Sequence, residues 1–397
     1  MKIALVADTH FGYPRFYDDA MQQGREAIEK ACKMADLIIL AGDIFDMKVP
    51  KMEVLSETMD ILECGKNKWR AESKDGRVPV LAIHGTHERR SKESVNPVQI
   101  LERAGFITNI HDRCEIFERD GERVAVCGFG GVPDEFALES LEKYSIKPSP
   151  GMFNIFVFHQ TISNFIPVAK GVSLKDLPPG FDLYVCGHIH KRRIEKLDGD
   201  HIFVIPGSTV ITQLKRDETE EKGFFLFDTK TRIWEFVPIK SRVFLFREIS
   251  FVAADTASIK QSCRKAVDEL LEQAGKIAKE RNDSRPPIIK IQISGSMKEG
   301  LRKENLDLSE IIGEYGDRCV LELENNIDAK NLGEKIEAFR RMFEEKKTIK
   351  ELGIDILKTK LGSNAGDMDV EYIFEKMSDS KNIDEFIKEI TKQGNSA

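Results

Sequence analysis

None of the seven cysteines, at positions 32, 64, 114, 127, 186, 263 and 319, stands in a C-x-x-C pair, and their number is odd. That pattern speaks against a zinc knuckle and against a disulfide framework, and it fits a chain that folds in a reducing compartment. Cys127 and Cys186 lie in apolar runs and read as buried structural thiols. Long apolar runs are missing too: the first, Ile3 to Ala7, is cut short by Asp8, and no later one approaches the roughly 20 residues of a membrane span. A cytoplasmic protein is expected. There is no internal repeat, no low-complexity tract and no aromatic-rich stacking platform. With a net charge of -7 over 397 residues the chain is no general coat for polyanions. Screening over ~8 Å still allows a local basic rim to act independently of net charge.

The length exceeds one ordinary core, so a large domain with smaller ones attached is expected. From Met1 to about Lys240, apolar runs alternate with amphipathic stretches. Ile3–Ala7, Leu37–Ala41, Pro79–Ile83, Val124–Gly128, Asn154–Phe158, Leu183–Cys186 and His201–Ile205 read as strands, and 18–35 and 52–64 as helices. Gly223–Phe227 and Arg232–Val237, joined by Asp228-Thr229-Lys230-Thr231, read as a hairpin. Mixed sheets with helices outside, an α/β architecture, fit best. From 241 to about 330 the order becomes β-α-β-(α)-β, a small α+β unit. A charged helix and linker occupy 331–366. Apolar residues at Val370, Ile373, Phe374 and Met377, and again at Ile383, Phe386, Ile387 and Ile390, mark two short helices in 367–397. Such helices need a surface to cover their stripes.

Chemistry concentrates where strands end. Asp8-x-His10 comes after the first run, Gly42-Asp43-x-x-Asp46 after the second, Gly85-Thr86-His87-Glu88 after the third, His159 after the fifth, and Gly187-His188-x-His190 after the sixth. Taken alone, each fragment reads as well as a strand-end turn, and Asp46 as a helix N-cap or surface carboxylate. Taken together they bring carboxylates and imidazoles to the edge of an open α/β sheet, where ligands bind, and they suit a pair of divalent cations. Two such ions ~3.5–4 Å apart polarise a phosphate ester and activate water for in-line attack. The departing sugar oxygen then needs a proton, and His87, left without a ligand role, is the candidate acid, with Asp46 orienting it. His111 and His201 match no motif and read as solvent-facing.

The ordered set D-x-H, G-D-x-x-D, G-x-H-[D/E], lone His and G-H-x-H resembles the calcineurin-like metallophosphoesterase signature. Leu174 to Asp182 running into Gly187 to Arg192, the His159-Gln160 pair and Ile205-Pro206-Gly207-Ser208-Thr209 are similar to the Mre-eleven/SbcD family of double-strand-break repair nucleases. The resemblance rests on motifs to about residue 240 and on architecture after it. It implies a four-layer fold of two mixed sheets flanked by helices (1–240), an α+β capping domain that binds DNA (241–330) and a C-terminal helical hairpin. It also implies two Mn²⁺, with Mg²⁺ a lesser alternative. Asp8, His10, Asp43 and His190 would hold one ion, and Asp43, His159, His188 and residue 86 the other. Thr86 departs from the family's Asn, and its shorter hydroxyl is the poorer ligand.

The activity implied is 3′ to 5′ exonuclease and endonuclease cleavage at DNA ends, in a homodimer associated with nucleoid or nuclear DNA. The terminal helices would dock on a Rad-fifty/SbcC-type ABC ATPase. Basic clusters at Arg89-Arg90-Ser91-Lys92, Lys191-Arg192-Arg193 and Lys215-Arg216 read as solvated loops one by one. Placed together around the metals they suit sequence-independent phosphate contacts. Two rival readings stand: a phosphatase or phosphodiesterase for small nucleotides or phosphoproteins on the same metals, and a nuclease-deficient scaffold bridging DNA and ATPase.

Overall fold

The computed structural model describes residues 1–72, 79–89, 94–166, 171–301 and 303–327. The charged segment and the terminal helix pair expected beyond residue 330 lie outside them. Twelve strands precede residue 240 among the described residues: Lys2–Val6 (β1), Leu37–Ala41 (β2), Val80–Ile83 (β3), Thr108–Asn109 (β4), Arg113–Arg119 (β5), Glu122–Phe129 (β6), Phe153–His159 (β7), Leu183–Gly187 (β8), Arg193–Lys196 (β9), Ile202–Ile205 (β10), Gly223–Asp228 (β11) and Trp234–Pro238 (β12). Helices Tyr17–Met34 (α1), Met52–Glu72 (α2), Pro97–Arg103 (α3) and Asp134–Glu142 (α4) are interspersed. One sheet has the order β12-β11-β1-β2-β3-β4 and the other β5-β6-β7-β8-β10-β9. In each, the central strands are parallel, and antiparallel strands close the edges at β11-β12, β5 and β9.

Period-two alternation decides what each strand packs against. Ile3, Leu5, Leu37, Ile39, Leu81 and Ile83 from one sheet form a single buried cluster with Val124, Val126, Ile155, Val157, Leu183 and Val185 from the other. The intervening residues Ala4, Val6, Ile38 and Leu40 pack with Ala27, Ile28 and Ala31 of α1 and with Val54 and Ile61 of α2. On the far side Phe156, Phe158, Tyr184 and Phe203 pack with Ala137 and Leu141 of α4. The result is four layers, as the resemblance implies. Strands apolar on both faces are what a parallel sheet covered on both sides requires.

The strands that the sequence pattern did not disclose are β4, β5 and β9. The last two, Arg113–Arg119 and Arg193–Lys196, are edge strands rich in charge, with partly exposed residues alternating along them. They lack an apolar run because only part of each is covered. Arg193, read as the end of a basic loop, therefore begins a strand. The other edge strand, β5, overturns the reading of Cys127 as a free thiol. Antiparallel pairing of β5 with β6 sets Cys114 opposite Cys127, and the two form a disulfide. Cys186 is a buried free thiol. His111 and His201 are not solvent-facing but half-buried. His111 Nδ1 accepts from the Gly130 N–H at 2.9 Å, and His201 Nδ1 donates to the Phe181 carbonyl at 2.7 Å.

After residue 240 the elements are Phe244–Ala254 (β13), Thr256–Arg281 (α5), Ile288–Met297 (β14), Ser309–Tyr315 (α6) and Val320–Ile327 (β15), with sheet order β13-β14-β15. α5 buries Ile259, Cys263, Val267, Leu270 and Ala274 along one stripe. Contacts divide the chain into two compact units, one of Met1–Arg247, Lys260–Ile291 and Leu308–Glu324, the other including Glu248–Ile259 and Gln292–Asp307. Within the first, Asp19 on α1 is buried against the guanidinium groups of Arg242 at 2.7 Å and Arg285 at 3.0 Å. In the second, Gly295 takes φ +106° where a Cβ would strike the Phe251 backbone. No described helix is long and apolar enough to cross a membrane.

Because Ile155 is wholly buried between the two sheets, Ile155→Ala is expected to cost about 2–5 kcal/mol through lost transfer energy and a residual cavity. Urea unfolding should report this as a lower midpoint with an unchanged slope.

Candidate metal centre

The parallel strands deliver their carboxyl ends to one edge, and each of the five motif segments stands at or just beyond such an end. Asp8 comes after β1, Asp43 after β2, Thr86 and His87 after β3; His159 closes β7, and His188 comes after β8. Several of these residues adopt a backbone that L-residues avoid. Asp8 has φ 53°, His10 45°, Asp43 47° and His188 78°. Such conformations cost about 1–3 kcal/mol each and persist only where surroundings over-determine them. Here the surroundings are main-chain bonds between the first two loops, Asp8 N–H to Gly42 O at 3.1 Å, His10 N–H to Asp43 O at 3.0 Å and Phe11 N–H to Ile44 O at 2.8 Å. The Asp8 carboxylate accepts the His188 N–H at 3.0 and 3.2 Å, and Asp43 Oδ1 accepts the His87 N–H at 2.9 Å.

Glycines make the close approach possible. At Gly42, φ +88°, an added Cβ would run into the His159 ring; at Gly85 it would meet Asp43, and at Gly187 both the Ala41 carbonyl and His159. Glu88, the last residue of the third motif, is buried and ties the second loop to the third by accepting from Phe45 N–H at 2.7 Å and Gly85 N–H at 2.6 Å. Burial and the nearby Asp43 charge push its carboxyl up to about 7, against those two hydrogen bonds.

The structure brings every sequence-predicted residue to one place. Asp8, His10 and His190 offer donor atoms within 4.8 Å of one another, as do Asp43, His159 and His188, and also His10, Asp43 and His87. Thr86 Oγ1 donates to Asp43 Oδ2 at 3.4 Å. Asp46 caps no helix. Its Oδ1 lies 3.2 Å from His10 Nδ1 and 3.5 Å from His87 Nδ1, between the two imidazoles. His87 Nδ1 donates to the Asp46 carbonyl at 2.7 Å, and its side chain is 43% exposed, unlike the buried His10 and His159.

Tautomers test whether these residues suit a cation. His159 Nδ1 donates to the Ala41 carbonyl at 2.8 Å, which leaves Nε2 with a lone pair. That Nε2 is buried, makes no hydrogen bond, and stands 3.1 Å from Asp43 Oδ2. At the neighbouring cluster, His10 Nδ1 faces Asp46, and His190 Nδ1 faces Thr212 Oγ1 at 2.8 Å and Glu218 Oε1 at 3.3 Å. Their Nε2 atoms then confront each other at 3.2 Å. Nitrogens so close need a proton or a cation between them, and a buried unpaired acceptor is costly. The donor set fits divalent cations. Without one, burial disfavours charge on His159, yet Asp43 and Asp8 outweigh burial and lift it to about 9. Burial and the neighbouring His159 hold His188 down at about 3, a neutral ligand. A bound metal would take the place of the proton on His159, since ligation needs the neutral ring.

Sequence reading missed Thr212 and Glu218. Neither stands in a motif or at a strand end; Glu218 sits in the charged run Arg216–Thr219, which looks like any solvated loop. Beside the cluster a cavity of 240 Å³ is lined by His188, His190, Phe165, Lys191, Arg193 and Lys215, among others. The basic residues near it are partly paired: Lys191 with Asp217 at 3.4 Å, Arg193 with Glu195 at 2.6 Å, and Arg192 lies over the Phe236 ring at 3.9 Å. Arg90, Ser91 and Lys92 of the cluster that begins at Arg89 lie outside the described residues.

The model for the calcineurin-like phosphoesterase superfamily domain matches residues 1–232, more than half of the chain. The chain belongs to the calcineurin-like phosphoesterase superfamily. Its curated relatives include the DNA double-strand break repair protein Mre11 of Methanopyrus kandleri, 28% identical over 81% of this chain and 70% of its own length. The protein of the same name from Sulfolobus acidocaldarius is 27% identical over 75% of this chain and 76% of its own. The double-strand break repair protein MRE11 of Encephalitozoon cuniculi is 29% identical over 57% of this chain, which covers 45% of that relative. A metallophosphoesterase works through a dinuclear metal site, and membership makes this chain a metal-dependent phosphodiester hydrolase. The two donor clusters provide for that site.

Gly42→Ala places a methyl group where the His159 ring stands and adds left-handed strain. It is expected to weaken metal binding in calorimetry at least as severely as it lowers thermal stability, whereas Gly105→Ala, with open space around it, should alter stability only.

Proposed function

We propose that the protein is a manganese-dependent DNA nuclease, acting as a 3′ to 5′ exonuclease and endonuclease on ends in double-strand-break repair. The observation that carries this reading is the crowding of two donor clusters, with His159 Nε2 3.1 Å from Asp43 Oδ2 and His10 Nε2 3.2 Å from His190 Nε2, at the carboxyl edge of a metallophosphoesterase fold whose relatives are Mre11 proteins. Asp8, His10, Asp43 and His190 would hold one Mn²⁺, and Asp43, His159, His188 and Thr86 the other. When bound, the ions supply Lewis acidity toward the phosphate and an activated water.

The chain's own residues do the remainder. Asp43 Oδ1 fixes the His87 main chain, and the Asp46 carbonyl holds His87 Nδ1. That leaves His87 Nε2 to give a proton to the departing sugar oxygen, with Asp46 as its positioning residue. Lys191, Arg193 and Lys215 line the adjoining cavity and would hold flanking phosphates in a sequence-independent way. Residues 1–240 form the nuclease domain and 241–330 the DNA-binding cap in this reading. A homodimer with the phosphoesterase domains in contact belongs to this reading through the family resemblance. Residues 367–397, outside the described residues, would dock on a Rad-fifty/SbcC-type ATPase, and the assembly would work on nucleoid or nuclear DNA.

A labelled duplex with a protruding end, offered beside a small phosphodiester under Mn²⁺, Mg²⁺ or chelator, tests the reading. Cleavage of DNA with Mn²⁺ and none with chelator is expected. Turnover of the small ester alone points to a phosphatase, and metal uptake without cleavage to a scaffold. His87→Ala is expected to bind Mn²⁺ normally and to cut about 10²–10⁴-fold more slowly, the usual worth of a proton donor; an undiminished rate removes His87 from the mechanism. Truncation after Gly362 should leave single-strand cleavage intact and abolish co-purification with the ATPase.

A further inference from the structure

The outer nitrogens of the imidazoles are backed unequally. His159 Nδ1 gives its proton to a neutral main-chain carbonyl. His10 and His190, in the other cluster, each have a carboxylate behind them, Asp46 and Glu218. Glu218 belongs to no motif, yet it is 3% exposed and bound from four directions. Its Oε1 accepts from Thr212 N–H at 3.0 Å, its Oε2 accepts from Gln213 N–H at 2.7 Å, His190 Nδ1 is 3.3 Å away, and the ammonium of Lys222 is 3.6 Å away. Lys222 is itself 4% exposed and donates to Ser208 Oγ at 2.9 Å. Burying a charged pair is expensive. Thr212 Oγ1 sits between, 2.8 Å from His190 Nδ1 and 3.5 Å from Glu218 Oε1.

We infer that Glu218, clamped by Lys222 and relayed through Thr212, is a positioning residue that locks His190 in the tautomer with its proton on Nδ1, and that it makes the Asp8-His10-His190 position the tighter of two unequal metal sites. The inference rests on the dinuclear reading above. The carboxylate matters because it favours one proton arrangement, in which the Thr212 hydroxyl accepts from His190 Nδ1 and donates to Glu218. A lone pair on His190 Nδ1 would face an anion, so the proton stays there and Nε2 is free to ligate. An amide in place of the carboxylate can turn its NH₂ toward His190 and stabilise the opposite tautomer, which presents N–H to the metal. At the other position only the neutral Ala41 carbonyl faces His159 Nδ1, and Thr86 offers only a short hydroxyl already engaged with Asp43.

The test is Mn²⁺ titration of the metal-free full chain, with free Mn²⁺ followed by electron paramagnetic resonance and heat by calorimetry. The wild type is expected to take up two ions with distinct affinities. Glu218→Gln should weaken the tighter event by about 10–100-fold and leave the weaker one in place, while Thr86→Asn should strengthen only the weaker one. Two indistinguishable wild-type events, an unchanged tight event in Glu218→Gln, or equal loss at both positions would overturn the inference. A wild type that never binds a second ion sinks the dinuclear reading instead, and the effect of Glu218→Gln on the single ion still decides the role of Glu218. If Glu218→Gln does not fold, Thr212→Val removes the relay hydroxyl while keeping the main-chain N–H to Glu218; it should weaken the tight event alone, and no effect counts against the relay.

Discussion

The centre is organised around lone pairs with nowhere to go. In water, an imidazole nitrogen and a carboxylate oxygen 3 Å apart would each find a solvent donor. Here His159 Nε2 is buried and has none, and its other nitrogen is committed to the Ala41 carbonyl. Where His10 and His190 meet, their Nε2 atoms lie 3.2 Å apart in a partly buried contact. Desolvation makes these contacts costly unless positive charge is present; without metal a proton on His159 supplies it, held there by Asp43 and Asp8 against burial, and a cation is suited to the same place. This need accounts for the neighbouring features: neutral His188, depressed by burial and by His159, and carboxylates arranged so that protons stay on the outer nitrogens.

Such crowding requires a rigid frame. Loops alone would relax away from it, whereas here each ligand stands within a few residues of a strand packed on both faces. The strain of left-handed Asp8, His10, Asp43 and His188 is held by hydrogen bonds between loops from different strands and by Glu88, which ties two of them. Burial of the intersheet cluster, at ~1.5–3 kcal/mol per large apolar side chain, stabilises the sandwich sufficiently for a few kcal/mol of local strain to be tolerated.

Electrostatics then separates holding from reacting. His10, His159 and His190 each have an oxygen partner at Nδ1, as ligands should. His87 differs: it is exposed, anchored at one nitrogen by the Asp46 carbonyl, and lies beside the cluster. Exposure suits a group that must exchange protons with solvent between turnovers. The cavity next to His188 and His190 is lined by cations with local acidic partners, so a polyanion entering there would compete with Asp217 and Glu195 for Lys191 and Arg193.

The order of strand-end motifs was legible in the primary sequence because each needs a particular residue type immediately after an apolar run, and both are local properties. Asp8, His10, Asp43, His159, His188 and His190 could be picked out this way, as could mixed sheets with helices outside, since strands apolar on both faces demand covers on both sides; the four layers were implied by the family resemblance. Edge strands β5 and β9 were not legible, because charge alternation does not distinguish a half-covered strand from a loop; with β5 went the pairing of Cys114 with Cys127. Thr212 and Glu218 were equally invisible. A residue behind a ligand is defined by which nitrogen it faces, and only the folding together of distant loops decides that: 28 positions separate His190 from Glu218, with 3.3 Å between their atoms.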